Sequence, residues 1–252
     1  MNAPPIRWFD TLGGMTLMLG RSLRLAVRRP LELGSVGRQI DNLGVRSLSI
    51  ATLTAGFAGL VIAIQFAFFL ARFGMQHNVG RVVVLTLFRE LAPVLTALTV
   101  GGRIGAGITA ELGAMKVTEQ IDAIRMLGAE PLKKLVYPRV VACAVVLPAL
   151  TILADVTGLL AGAAVVKLDY GISVDEFMGS ALDTVKLLDF TSGVMKAGVF
   201  GLIIGMVGCY KGFTVEGGSE GVGVATTQTV AITAVAICLS DFFLTKLLLA
   251  FS

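Results

Sequence analysis

Several ionisable side chains of this 252-residue chain lie inside long apolar segments, where a charge is unfavourable. A charge at the centre of a bilayer raises the free energy by roughly 3 kcal/mol or more unless it is paired or hydrated. A guanidinium in such a place suits a phosphodiester, which it can hold with two parallel hydrogen bonds. The residues whose charges could do chemistry inside the membrane are Arg89, Glu90, Arg103, Glu111, Asp155 and Lys196.

Two groups can be separated among these charges. Arg89 and Glu90 are adjacent and come just before Pro93, and we favour a functional role for both. Arg103 follows Arg89 by 14 positions, which on an unbroken α-helix puts the two within roughly 40° of one face. For Arg103 and Glu111 a structural ion-pair network that holds helices together is an equal alternative.

The elements that must position these charges are membrane-spanning helices. The chain is 55% hydrophobic and 15% charged, with a mean hydropathy of +0.84, whereas a soluble domain carries roughly 25% charged residues. About 20 residues cross the hydrocarbon core. Five apolar segments are long enough to approach or exceed that length, and they cover residues 48–70, 82–110, 140–166, 194–210 and 222–249. We therefore predict an all-α polytopic membrane protein with five transmembrane helices in residues 48–252.

Residues 1–47 form a different kind of segment. Between residues 6 and 27 the apolar side chains recur at nearly helical spacing, and Arg21, Arg24, Arg28 and Arg29 close the stretch before a proline. This pattern predicts an amphipathic helix in the membrane interface, with its arginines on anionic headgroups. A buried helix of the soluble type is the alternative. A second, weaker amphipathic piece at residues 36–43 leads into the first span.

Positive charge predicts the orientation of the chain. Seven arginines precede residue 48, and the loop at 116–139 adds five basic residues, whereas the loop at 167–190 holds two lysines against five acidic residues. Basic loops stay in the cytoplasm. With five spans the N-terminus and the 116–139 loop are cytoplasmic, and the acidic loop and the C-terminus are outside. Arg72 and Arg81 are exceptions to this charge pattern, because the predicted topology places them on the outer side. The net charge of +4 is thus a topology signal, and nucleic acid is not expected as a partner.

The basic loop contains a short amphipathic helix at residues 118–128. Glu119 lies in its first turn, and Gly128 follows its last turn, with Pro131 beyond, as helix boundaries favour. A helix about 14 Å long is marginal alone in water, so we expect it to dock on something. The membrane surface is one possibility and a groove on a cytoplasmic partner is the other. Its apolar stripe comprises Ile121, Ile124 and Leu127 or Gly128, while Gln120, Asp122 and Arg125 face elsewhere.

Small residues recur four positions apart in several spans. Gly101 and Gly105 form one such pair, Gly158 and Gly162 form another, and a longer ridge runs from residue 193 to residue 205. This spacing lets two helix backbones approach closely in a membrane. We therefore predict that these glycines pack helices together and that they bind no nucleotide.

The sequence lacks the residue patterns that a disulfide, a metal site or a nucleotide-binding loop would need. Cys143, Cys209 and Cys238 have no paired spacing and His77 is the single histidine, so we expect neither a disulfide nor a metal site. The sequence contains no Gly-Lys dipeptide and hence no phosphate loop. We expect no cofactor, and any ATP must be hydrolysed by another polypeptide.

One continuous block, residues 88–139, carries a specific resemblance. It contains R-E-L-x-P at Arg89, G-R-x-G-x-x-x-x-A-E-x-G around Arg103, T-E-Q-x-x-A at Thr118 and P-L-x-x-L-x-x-P-R at its end. Together with L-S-D-F-F-L-T at residues 239–245 and the hydropathy of residues 40–250, it resembles the MlaE/YrbE family. These are permeases of ABC transporters that move phospholipid between bacterial membranes. Ala92 departs from the glycine expected in many relatives.

The resemblance implies a set of roles and partners. The helix at 118–128 would couple to a separate ATPase, and a phospholipid cavity would lie towards the outer side. The chain would act as a homodimer in the bacterial inner membrane, with an MCE-domain periplasmic lipid-binding subunit and a small cytoplasmic STAS-domain protein. The implied cavity residues are Arg89, Glu90, Arg103 and Lys196, and the implied coupling residues are Glu119, Ile121, Asp122, Ile124, Arg125 and Gly128.

Three functions follow from these patterns. The favoured one is the non-catalytic permease subunit of a lipid-moving ABC transporter that maintains the lipid asymmetry of the outer membrane. An ion-gradient-driven secondary transporter is the alternative, although the chain has no inverted repeat of the kind such transporters use. An intramembrane enzyme that acts on lipid is the third, but no nucleophile–histidine pair or metal cluster supports it.

Overall fold

The computed structural model describes residues 13, 14, 17, 18, 20 and 33–250. These residues form helices joined by short turns, and no strand occurs among them. Five helical segments are long and apolar enough to cross a membrane, which confirms the predicted all-α polytopic fold. The five spans, numbered in chain order, are Gly34–Ala71, Gln76–Val117, Leu132–Tyr170, Leu187–Phe213 and Gly218–Leu248.

The helices extend beyond the apolar segments of the sequence, because their polar ends continue the same hydrogen-bonding pattern. Short 3₁₀ turns occur at Val45–Ser47 and Gln76–Asn78, and wider π-helical turns occur at Leu87–Leu91 and Leu132–Val136. The α-helices are Leu33–Gly44, Leu48–Ala71, Val79–Thr86, Ala92–Val117, Gln120–Met126, Tyr137–Tyr170, Val174–Leu182, Leu187–Phe213 and Gly218–Leu249. We refer to two of them as the 120–126 helix and the 174–182 helix.

The predicted interfacial helix at residues 6–27 lies largely outside the described residues, and so do Arg21, Arg24, Arg28 and Arg29. Of the described part, Met18 is buried and Gly14 lies against the ring of Tyr210, where an added Cβ would be 2.7 Å from the phenol oxygen. The weaker amphipathic piece is the helix Leu33–Gly44 at the start of the first span, which one 3₁₀ turn joins to the helix Leu48–Ala71.

The chain divides into two compact units. The first unit comprises residues up to 43 together with 101–145 and 201–236, and the second unit comprises 44–100, 146–200 and 237 onwards. Each unit is built from parts of several spans, so close helix packing recurs in both.

Small residues hold the second unit together. The first span buries a small residue at every fourth position, namely Ala51, Ala55, Gly59, Ala63 and Ala67. A Cβ added to Gly59 would overlap the backbone of Gly158, and one added to Gly162 would lie 3.2 Å from the Cβ of Ala63. The predicted packing at Gly158 and Gly162 is confirmed, and its partner is a ridge of small residues on the first span.

The 174–182 helix lies within the acidic loop and is a feature that the sequence analysis missed. The Ser173 side chain caps it by accepting a hydrogen bond of 3.1 Å from the backbone N–H of Glu176. Phe177 and Ala181 are buried in a core cluster with Val79 and Val83 of the second span. The loop is therefore anchored by apolar burial, although its composition is acidic.

Glycines also pack the first unit. A Cβ added to Gly201 would overlap the backbone of Cys143, and one added to Gly205 would lie 2.9 Å from the Cα of Val140. A Cβ added to Gly105 would lie 3.2 Å from a methyl carbon of Thr229. The predicted role of these small residues in close helix packing is confirmed for both pairs of helices.

Each π-helical turn ends two residues before a proline, at Pro93 and at Pro138. Proline has no N–H, and its ring clashes with the carbonyl four residues earlier, so a wider turn accommodates it. The first wide turn contains Arg89, and its residues rotate by less than the α-helical 100°. The predicted 40° between Arg89 and Arg103 assumed an unbroken α-helix, so it is wrong.

Candidate functional site

Residues from three spans of the second unit form one charged cluster. Arg89 and Glu90 come from the wide turn of the second span, Asp189 and Lys196 from the fourth, and Asp241 with its neighbour Thr245 from the fifth. Their side chains are joined by hydrogen bonds and ion pairs. We use the name charged cluster for these six residues.

Lys196 is the centre of the charged cluster, and only 2% of its side chain is exposed. Its ammonium donates to Glu90 Oε2 at 2.7 Å, to Thr245 Oγ1 at 2.7 Å and to the backbone carbonyl of Arg89 at 3.1 Å. It also lies 3.0 Å from Asp241 Oδ1, an ion pair by distance that lacks the directional geometry of a hydrogen bond. Because an ammonium has three protons, these contacts saturate it.

Glu90 links the fifth span to this ammonium. Its Oε1 atom accepts a hydrogen bond of 3.2 Å from the Thr245 hydroxyl, and its other oxygen accepts the one from Lys196. The Glu90 side chain nevertheless stays 39% exposed. A carboxylate held on one side and open on the other can still meet a ligand.

Arg89 has a different partner. Its Nε atom donates to Asp189 Oδ1 at 2.8 Å, and a second guanidinium nitrogen approaches the same oxygen. The other Asp189 oxygen accepts from the backbone N–H of Lys186 at 2.9 Å, which ties the pair to the start of the fourth span. Asp189 is buried, whereas the Arg89 side chain is 39% exposed. Arg89 and Glu90 are thus adjacent in sequence but paired with different residues of the fourth span, and Glu90 also contacts the fifth span through Thr245.

Three residues of the charged cluster were not predicted as site residues from the sequence, namely Asp189, Asp241 and Thr245. Asp241 and Thr245 stand four positions apart in the L-S-D-F-F-L-T motif, on one face of a helix. That spacing was the available signal for a polar face directed at other helices. Asp189 lies at the end of an acidic loop, and this position gave no indication that its side chain contacts another span.

The remaining charges that the sequence places inside the spans, Arg103, Glu111 and Asp155, do not belong to the charged cluster. Arg103 belongs to the first unit and has an exposed side chain, so the structure does not place it in the same unit as Arg89, Glu90 and Lys196. Glu111 accepts a hydrogen bond of 3.0 Å from Arg139, which is buried, and this fits the structural alternative for Glu111. Asp155 is buried in the third span, and its Oδ1 atom has no hydrogen-bond partner in the part of the chain that the structure describes.

The 120–126 helix is bracketed by two residues in the left-handed conformation, Glu119 with φ 58° and Gly128 with φ 73°. Glu119 is the one non-glycine residue with positive φ between residues 33 and 250. Such a conformation is unfavourable for a side chain other than glycine or asparagine. The chain therefore enters and leaves this helix through two sharp, well-defined turns. Asp122 accepts a hydrogen bond of 3.1 Å from Arg125 on the same helix.

The outward face of this helix differs from the predicted stripe. Ile121 is fully buried within the chain and Ile124 is half-buried, whereas Met126 is 90% and Leu127 is 85% exposed. The expectation that Ile121 contacts a partner directly does not suit this burial and needs correction. The covered isoleucine instead stabilises the helix against its own chain, and Met126 is an outward residue that the sequence analysis missed.

The described residues contain no group of three or more His, Cys, Asp or Glu side chains that could hold a metal ion. Among the described residues, five spans, a charged cluster that joins three of them and a short helix that exposes two large apolar side chains define a multi-pass α-helical membrane protein.

The chain belongs to the MlaE permease family, whose model, described as Permease MlaE, matches residues 36–247. A "Probable ABC transporter permease protein" of Rickettsia felis is 38% identical over 244 residues, which are 96% of this chain and 93% of the relative. A protein of the same description from Synechocystis is 39% identical over 96% of this chain and 92% of its own length. "Protein TRIGALACTOSYLDIACYLGLYCEROL 1, chloroplastic" of Arabidopsis thaliana is 39% identical over 83% of this chain and 60% of its own length.

Proposed function

We propose that this chain is the membrane-spanning subunit of an ABC transporter that moves phospholipid between the inner and outer membranes of a bacterium. The relatives named as ABC transporter permeases support the transporter class, and the Arabidopsis relative, whose name is that of a diacylglycerol lipid, supports a lipid cargo. The observation that carries the proposal is the charged cluster, because such a network inside a membrane marks a path for a polar group. Maintenance of outer-membrane lipid asymmetry would be its consequence.

The headgroup would meet the exposed parts of the charged cluster. Arg89 and Glu90 each keep 39% of the side chain open, so the guanidinium would take a phosphate oxygen and the carboxylate a cationic or hydroxyl group. Lys196 is too buried for this contact, and its part is to hold Glu90 in place. Acyl chains would follow the exposed apolar face of the first span, which comprises Leu53, Phe57, Val61, Ile64 and Phe68.

A separate ATPase subunit would dock on the 120–126 helix. Met126 and Leu127 would insert into a groove on that subunit, and their exposure is what favours them over Ile121. Large apolar residues that are exposed side by side mark sites of interaction with a protein or a membrane. The polar residues around them would set the orientation of docking, namely Glu119, Asp122, Arg125 and Gly128 together with the half-buried Ile124.

A second copy of the chain is the proposed partner within the membrane. Only 11% of the most apolar stretch of the fifth span is buried within one chain, and several of its large side chains are exposed, among them Val235, Leu239 and Phe243. A homodimer would bring two charged clusters into one transporter. An MCE-domain periplasmic subunit and a small STAS-domain protein complete the proposed assembly, on the strength of the family resemblance alone.

Transfer of a fluorescent phospholipid between donor and acceptor vesicles tests this function. The permease would be reconstituted with its ATPase and periplasmic subunits, and we expect transfer that requires ATP and that falls at least about tenfold in Arg89→Ala. Transfer that ignores ATP but collapses with an ionophore would replace this proposal with an ion-driven transporter. The absence of any lipid transfer in a complex that hydrolyses ATP would overturn the lipid cargo.

A further inference from the structure

The Lys196 ammonium contacts the second span at the carbonyl of Arg89, which lies four residues before a proline. In an α-helix the N–H of residue 93 would donate to the carbonyl of Arg89, four residues earlier. Residue 93 is proline, which has no N–H, so that carbonyl cannot receive the hydrogen bond from residue 93 that an α-helix would give it. The Lys196 ammonium donates to the same carbonyl at 3.1 Å. A side chain of the fourth span thus donates to a carbonyl to which residue 93 cannot donate.

The fourth span is shaped for this approach. Gly193 lies three positions before Lys196 and therefore on the same helix face. A Cβ at Gly193 would overlap the Phe88 carbonyl and would lie 3.7 Å from the Pro93 ring. The glycine consequently lets the fourth span contact the wide turn closely enough for the ammonium to reach the Arg89 carbonyl.

We propose that Pro93 is a positioning residue for the charged cluster. By withholding an N–H, it leaves the Arg89 carbonyl as one of three acceptors, beside Glu90 and Thr245, that fix the Lys196 ammonium. The fixed ammonium in turn holds the Glu90 carboxylate towards the side on which it is exposed. The positioning itself needs only the observed contacts, and its importance for transport rests on the function proposed above.

Chemical labelling of the lysine tests this role directly. The full-length permease, purified with its partner ATPase in lipid nanodiscs, would be trace-acetylated with acetic anhydride, and the extent at Lys196 read by mass spectrometry. In wild type we expect strong protection. In Pro93→Ala the new N–H competes with the Lys196 ammonium for the Arg89 carbonyl, and we expect acetylation of Lys196 to rise about tenfold, the factor that loss of one hydrogen bond to a charged group produces.

Two controls separate the missing donor from a general loss of structure. Pro148 lies inside the third span in a regular α-helix, and Pro148→Ala should leave Lys196 labelling unchanged. Lactic acid at position 93, introduced by nonsense suppression, gives an ester linkage that has no N–H and no ring. This variant should label like wild type.

The outcomes are decisive in either direction. Wild-type labelling in Pro93→Ala, or raised labelling in the ester variant, would overturn the proposal. If Pro93→Ala does not accumulate, raised labelling of the ester variant still overturns the proposal. The labelling is independent of transport, so it can stand even if the cargo proves not to be a phospholipid.

Discussion

Every cation of the charged cluster is matched by a carboxylate from another span. Lys196 lies between Glu90 and Asp241, and Arg89 faces Asp189. In a low-dielectric interior, removal of one partner of such a pair destabilises a protein by about 3–5 kcal/mol, because it leaves the other charge uncompensated. The charged cluster therefore ties three spans together and at the same time keeps Arg89 and Glu90 available to a ligand.

A double-mutant cycle separates the two ion pairs. We expect a coupling free energy of about 1–3 kcal/mol between Glu90→Ala and Lys196→Ala, measured from thermal unfolding in nanodiscs, because the two side chains share a hydrogen bond. Arg89→Ala and Glu90→Ala should instead be nearly additive, although the residues are neighbours in sequence. Strong coupling between Arg89 and Glu90 would contradict the observed partners.

At the scale of single elements, the position of a helix in the sequence is easier to predict than which of its faces is exposed. The sequence predicts the loop helix at 118–128 and the structure has Gln120–Met126, because Gly128 and the polar flanks mark its ends. Its outward face is not predictable, since Ile121 is as apolar as Met126 and only the folded chain shows which one is covered. The same limit applies to the charged cluster, where Arg89 and its partner Asp189 are 100 residues apart.

The outward face of the 120–126 helix has a direct test. The double change Met126→Asp with Leu127→Asp should abolish co-purification of the ATPase while the permease still inserts, because two exposed anchors become charged. Ile121→Asp should instead lower the amount of permease in the membrane, since it buries a charge within the chain. Leu168→Asp, at an exposed site in the last turn of the third span, is the matched control and should change neither. Retained ATPase binding in the double variant would remove this helix from the coupling interface.

Helix contacts inside the membrane also give a prediction at this scale. Gly59→Val should destabilise the protein by about 1–3 kcal/mol or prevent its accumulation, because the added carbons overlap the backbone of Gly158. Gly56 is on the same span with nothing within 4 Å, so Gly56→Val should be tolerated. Melting temperatures and membrane levels of the two variants compare them directly. Equal stability of both variants would mean that the first and third spans do not pack through this ridge.

For the whole molecule, the number of spans is what the sequence predicts best. Apolar length alone indicates five helices, and the part of the chain that the structure describes contains five. The 174–182 helix could not be predicted in the same way, because one turn with Phe177 and Ala181 carries too little periodicity to stand out among acidic residues. Its burial depends on contacts with Val79 and Val83 of the second span, which are far from it in the sequence. Long-range packing, and not local pattern, decides such elements.

Labelling of single cysteines tests the orientation of the whole molecule. In a Cys238→Ser background, which removes the exposed native thiol among residues 33–250, Gly179→Cys should react with an impermeant maleimide added outside the inner membrane. Glu130→Cys should react only after the membrane is permeabilised. Both positions are exposed, and the third span alone separates them, so opposite accessibility follows if that span crosses once and the basic loop is cytoplasmic. If Glu130→Cys reacts from outside and Gly179→Cys does not, the proposed topology is inverted and the charged cluster moves to the cytoplasmic half. If both react from outside, the third span does not cross.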